Sequence, residues 1–342
     1  MKMLSALFFL WAAFSFLSAQ EIRPIRDSVG YCWEIESMHH LVGYVDTTEA
    51  PTSPKREFIA GISPHDDYLY AARIYYPLFR SIKPREVVIF GVTHSTVRKE
   101  IGDPQGILLL DDHKSWMGCG KTVEVSPLGE FIKNTLDTQY YRVNNHAHEL
   151  EHSIEATVPW LQMYMPDVRI TPIMVTRMSF DRMEEVSQAL SDVLAEYIRS
   201  RHLIPGPDIF FLCSSDANHY GKDFQNTPFG EDDAAHTQGI EQDQKIAQTF
   251  LAGKIDSEKL RSFTVEMQKV VWCGKYSIPF GLLTAQKTME RTFGKSLKGT
   301  ILRYSDSYSA GVLPLTKTGM GLTAPFSLKH WVGYLSAGFT IE

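Results

Sequence analysis

Short apolar runs that each stop abruptly in polar residues set the rhythm of this chain. One run ends in Ser63-Pro64-His65-Asp66-Asp67-Tyr68, and a second, Val87-Val88-Ile89-Phe90, ends in Gly91-Val92-Thr93-His94-Ser95. Runs rich in β-branched and aromatic residues and bounded by Gly or Pro predict strands. The segment between them, Tyr68 to Ile82, has the length of a crossover helix. A strand–helix–strand unit of this kind is parallel, so His65 and His94 are expected at the same carboxyl edge of one sheet, where open α/β sheets hold ligands.

The same rhythm continues downstream. Gly106 to Leu110 and Val168 to Val175 read as strands, and Ser179 can cap a helix whose Met183, Val186, Leu190, Val193, Leu194 and Tyr197 fall near one face. After the Pro205-Gly206-Pro207 break, Ile209 to Leu212 is a buried-strand pattern ending in Cys213-Ser214-Ser215-Asp216-Ala217-Asn218-His219-Tyr220. This third strand ending with a histidine shifts that residue from a structural role toward a shared site. Helical patterns follow over Ile240 to Leu251, from Ser257 toward Val271, and over Phe280 to Phe293, interrupted at Trp272-Cys273-Gly274. Gly299 to Tyr304 and Val332 to Ile341 read as final strands, whereas Glu21 to Lys55 reads as an irregular N-terminal wrap. The expected fold is α/β: a single domain, residues 21–342, around a mostly parallel sheet flanked by helices.

The first twenty residues stand outside that domain. Lys2, the apolar stretch Leu4 to Leu17 and the small residues Ser18-Ala19 read as a secretory signal peptide cleaved close to Ala19 or Gln20, so export is expected. Its apolar core is shorter than the ~20 residues of a comfortable membrane span, and the exported chain is expected to be free of the membrane. Without Lys2 the chain carries 33 basic and 40 acidic residues, a net charge of −7. That balance offers no basic patch and disfavours nucleic acid as a partner. The four cysteines, Cys32, Cys119, Cys213 and Cys273, form no CxxC and no disulfide framework.

Two local motifs compete for attention. Gly120-Lys121-Thr122 lacks the Gly a phosphate loop requires at position 115, which is Ser. His148-Glu149-Leu150-Glu151-His152 satisfies H-E-x-x-H, a zinc-hydrolase pattern in which one continuous helix must carry both histidines. Asn144, Asn145 and a possible Ser153 N-cap instead place a helix start after His152, with Glu155 in its first turn. The zinc-hydrolase reading, with His148 and His152 as ligands, stays as the alternative.

Taken in order, Pro64-His65 with Tyr68, Gly91 to His94, Glu151-His152-Ser153-Ile154-Glu155, Ser214-Ser215-Asp216 with His219-Tyr220-Gly221, Cys273-Gly274 and Tyr308-Ser309-Ala310-Gly311 resemble the motifs of the Memo family. That family includes protein B of the bacterial AmmeMemoRadiSam gene set, and its fold is similar to class III extradiol ring-cleaving dioxygenases. The resemblance covers roughly residues 57 to 342. It implies one metal ion bound by His65, His94 and Cys273, with Asp216 and His219 lining the pocket as catalytic candidates and His152 and Glu155 at its rim or behind it. Two departures stand out: Asp66-Asp67 where the family has a small pair, and Val92 where it has Pro. The extra carboxylates could ligate the metal, hold the His65 ring through its other nitrogen, or face solvent.

Two imidazoles and a thiolate suit iron, copper or zinc, and the expectation is one ion, iron or copper before zinc. A redox enzyme or an extradiol-type dioxygenase on an unknown small substrate follows from that. A non-enzymatic module binding a small molecule or peptide is a further alternative, and a Cys273/His219 or Ser215/His219 nucleophile pair ranks last for want of an orienting third group. In an oxidising compartment a Cys213–Cys273 disulfide would remove the thiolate.

Overall fold

The computed structural model describes residues 21–49 and 57–342, so the expected signal peptide at residues 1–20 lies outside the described residues. Four parallel strands form the centre of one mixed sheet, adjacent in the order Arg169–Val175, Glu86–Val92, Ile209–Ser214 and Ala60–Ser63. The long strand His330–Ile341 continues the sheet antiparallel to Ala60–Ser63, and Leu297–Asp306 lies antiparallel beyond it. Apolar runs without alternation become central strands because both of their faces are buried. Val88 and Phe90 enter one hydrophobic core and Val87 and Ile89 the other; Phe211 and Cys213 share the first, Phe210 and Leu212 the second.

Helices Phe180–Arg201 and Ser277–Phe293 cover the first face, and Ser179 does cap the former, its side chain accepting from the Arg182 amide. Tyr68–Phe79, the predicted crossover, covers the second face together with Val158–Tyr164. No helix among the described residues is long and apolar enough to cross a membrane.

Two expectations change. The N-terminal stretch is not irregular: Ile35–Thr48 is a helix that buries Met38, Leu41, Val42 and Val45, a helical spacing that the surrounding polar residues obscure. Ser153 is not a cap, since its hydroxyl oxygen accepts from the Val92 amide, but a helical stretch does start after His152, with Glu155 opening the turn Glu155–Thr157 that leads into Val158–Tyr164. A further short helix, Asn145–Leu150, capped by Asn144, precedes it and ends two residues before His152.

Candidate metal centre

Three of the four parallel strands place a histidine or aspartate two positions beyond their last residue: His65 after Ser63, Asp216 after Ser214 and His94 after Val92. Because the strands are neighbours, these side chains converge at one carboxyl edge. Cys273 reaches them from the loop before helix Ser277–Phe293. Its Sγ stands 3.3 Å from His65 Nε2, and the ligand atoms of His65, His94 and Cys273 all lie within 4.8 Å of one another. Metal–N and metal–S bonds of ~2.0–2.3 Å put neighbouring tetrahedral donors roughly 3.5 Å apart, so the set fits a single ion.

The far side of each ring is already committed. Ser214 donates its hydroxyl to the Ser153 carbonyl at 2.6 Å, so its oxygen accepts from His65 Nδ1 at 2.9 Å. His94 Nδ1 donates to Glu151 Oε1 at 2.7 Å. Both Nδ1 atoms therefore carry the proton, and both Nε2 lone pairs are left for a cation. Glu151 is buried and its two oxygens also accept from the amides of His94, His152 and Ser153. Burial alone would raise its carboxyl, but His94, its hydrogen bonds and His152 hold it well below the ordinary carboxylate range. Three of these bonds fall on Oε1, including the one that orients His94, while Oε2 takes only the His94 amide; Glu151 also falls with His94 and His152 in a second group whose ligand atoms lie within 4.8 Å of one another.

The Asp216 amide donates to Cys273 Sγ at 3.1 Å, a contact that favours the thiolate. Without a cation, burial and then the Asp216 carboxyl push the thiol well above its ordinary value. The loop seats closely: a Cβ on Gly274 would stand 2.1 Å from Ser215 Oγ, so only glycine fits beside Cys273. All four cysteines are free, and Cys213 turns toward helix Ser277–Phe293, so the competing disulfide is not formed.

The remaining expected site residues take different places. Asp216 Oδ1 accepts from the His65 amide at 2.9 Å while Oδ2 lies 3.4 Å from His65 Nε2, and burial and then Asp66 raise its carboxyl well above normal. His219 Nδ1 faces the Ala217 and Val271 carbonyls, each at 3.2 Å, so that nitrogen holds the proton; burial and then His94 lower the ring to about 4. His152 stacks on His94 at 4.6 Å between centroids and is likewise lowered to about 4, by burial and then His94. No hydrogen bond or ion pair among the described residues joins the Asp66 or Asp67 carboxyl to the three donors. Asp66 accepts from the Tyr334 hydroxyl at 2.8 Å, and Asp67 from the amide and hydroxyl of Thr323, tying the residue 311–329 loop to the site.

Glu155 is not at the rim. It is fully buried, pairs with Arg23 and accepts from the amides of Arg26 and Asp27, which anchors the segment that brings Asp27 to the cleft. The H-E-x-x-H pair is also separated: His148 is buried with Nε2 at 3.0 Å from the Leu109 carbonyl and its ring edge-on to Trp116, while His152 lies past the helix end beside His94. The cleft over the centre has a volume of about 580 Å³ and is lined by Tyr31, Asp66, His152, His219 and Phe224 among others.

Fold and cleft together define an α/β protein whose parallel strands deliver imidazole and carboxyl groups, and whose following loop delivers a thiol, to one edge. The Memo-like protein profile matches residues 35–312, and the chain belongs to that family. A MEMO1 family protein of Pyrobaculum arsenaticum is 32% identical over 169 residues, 47% of this chain and 53% of its own length. Counterparts in Saccharolobus islandicus and Desulfurococcus amylolyticus are 27% and 25% identical over 278 residues, 79% of this chain and 84% of theirs. The matched stretch spans about half the length of the Pyrobaculum relatives.

Proposed function

We propose that this Memo-like protein holds one metal ion, iron or copper before zinc, on His65, His94 and Cys273, and acts on a small molecule in the adjoining cleft. The observation that carries the reading is the pair of Nε2 lone pairs turned toward Cys273 by Ser214 and Glu151. Bound there, the ion would supply Lewis acidity and, as iron or copper, one-electron chemistry. The chain supplies the proton chemistry. His219, lowered to about 4, is neutral near pH 7 and offers Nε2 as a base, while burial raises the Asp216 carboxyl and fits it to the role of acid.

An extradiol-type ring opening is the narrower form of this reading, supported by the resemblance to that fold, with a thiolate standing where those enzymes use a carboxylate. Export through the first twenty residues belongs to the proposal too. Elemental analysis of protein purified without added metal tests it. About one ion per chain is expected in the wild type and in His148→Ala, and none in Cys273→Ser. A metal-free wild type that binds ligands unaffected by chelators would support a binding module instead, and loss of zinc in His148→Ala alone would overturn the assignment.

A further inference from the structure

The carboxyl edge continues past His94 with a different charge. The fourth parallel strand, Arg169–Val175, places Arg177 two positions beyond its end, next to Arg98 of the short helix Ser95–Glu100. Lys275, two residues after Cys273, joins them, and both Arg98 and Lys275 line the cleft. Asp103 pairs with Arg98 Nε at 3.4 Å and with Arg177, and the charge of buried Glu151 also reaches Arg98. The Lys275 ammonium makes no ion pair or hydrogen bond among the described residues; it sits over the Tyr276 ring, 5.4 Å from the centroid. A ring face attracts a cation without neutralising it.

The acids that line the cleft are held by other partners, and none of them pairs with Lys275 or Arg98. Asp66 and Asp67 are taken up by Tyr334 and Thr323, Asp216 by the His65 amide, and Asp27 by the amides of Val29 and Gly30. An ammonium without an ion pair on the wall of a half-buried cleft attracts an incoming anion, and low-dielectric walls strengthen that attraction.

We propose that the ligand of this cleft is a small anion-bearing molecule, with a carboxylate or phosphate seated between Lys275 and Arg98 and its other end beside His65, His94 and Cys273. The inference rests on the reading of this cleft as the ligand site but not on an ion being bound. A cleft of about 580 Å³ has room for a molecule of roughly one ring with its substituents.

The test is calorimetric titration of the purified protein with benzoate, phenyl phosphate and benzamide, with metal content measured on the same samples. At least one anion should bind ~10-fold or more tightly than neutral benzamide, with the gap narrowing as salt rises. Lys275→Met should abolish the gap, and Lys275→Arg should restore it. Lys275 makes no hydrogen bond, so its replacement strands no buried partner. The order of benzoate and phenyl phosphate identifies the anion class. Equal binding of all three, no binding by any, or a gap that survives Lys275→Met with Arg98→Met would overturn the proposal. A gap seen in metal-free protein would count against the metal alone, whereas metal bound without a gap would count against the anion site alone.

Discussion

Glu151→Gln is the most informative single change. The carboxylate accepts from His94 Nδ1 at 2.7 Å, from the His94 amide at 2.9 Å, and from the His152 and Ser153 amides at 2.9 and 3.0 Å. All four donors crowd two oxygens. A glutamine keeps the shape but turns one oxygen into an NH₂ group that must face a donor, and it removes the charge that lowers the cost of polarising the His94 ring. Groups that orient a metal-bound histidine are worth ~10–100-fold in affinity, or roughly 1.4–2.7 kcal/mol. Fold stability should fall as well, by ~2–3 kcal/mol for the lost charge-assisted bonds. The assay is a competition titration against a chelator of known affinity, run beside thermal unfolding of the metal-free protein. The expected result is weakened metal binding in a protein that still folds, with a smaller loss in Glu151→Asp. Wild-type metal affinity in a folded Glu151→Gln would refute the argument that Glu151 orients His94.

Further outcomes follow from neighbouring contacts. Gly274→Ala should lose ~1–3 kcal/mol of stability and most of its metal, because its Cβ would meet Ser215 Oγ at 2.1 Å; unfolding and metal analysis on one sample check both. Buried Asp243 ties the two loops of the site together, accepting from Trp272 Nε1 at 2.8 Å, the Asn218 amide at 3.2 Å and the Tyr304 hydroxyl at 2.7 Å. Asp243→Ala should therefore cost ~3 kcal/mol or more and loosen metal binding, measured by the same titration. In metal-free protein His219 and Asp216 should give opposite pH trends. The unfolded His219 takes up a proton below about pH 6.5 and the folded ring only near pH 4, so the stability gap between wild type and His219→Gln should shrink as pH falls through that window. Its slope should stay under ~1.4 kcal/mol per pH unit, reduced by solvent at this partly exposed ring. Asp216, raised on folding, should do the reverse: wild type loses ground to Asp216→Asn as pH rises above ~4. Urea unfolding across pH 4 to pH 7 reads both signs.

The edge where the site lies was legible in the sequence because apolar runs ending in polar residues are what buried parallel strands look like. The pairing of His65 with His94 followed from that pattern alone, whereas Cys273 came only through the family resemblance, since nothing local marks a loop cysteine as convergent. Glu151 lies in the same motif as His152 and Glu155, and nothing in the sequence separates its role from theirs. Which of three successive polar residues faces a site depends on backbone direction past a helix end, and here the chain leaves Leu150 extended, aiming Glu151 inward at His94. Ser214 was hidden as the last residue of a strand, and Asp66-Asp67 turned out to bind Tyr334 and Thr323, partners more than 250 residues away along the chain. The cationic wall was invisible for the same reason: Arg98, Arg177 and Lys275 meet only through the strand order.

X-ray absorption at the metal edge of the purified protein tests the central claim most directly. It should show one sulfur near ~2.3 Å with two imidazole nitrogens near ~2.0–2.1 Å, and the sulfur shell should vanish in Cys273→Ser. A spectrum without sulfur, or one unchanged by that substitution, would contradict the assignment of His65, His94 and Cys273 as a single metal site.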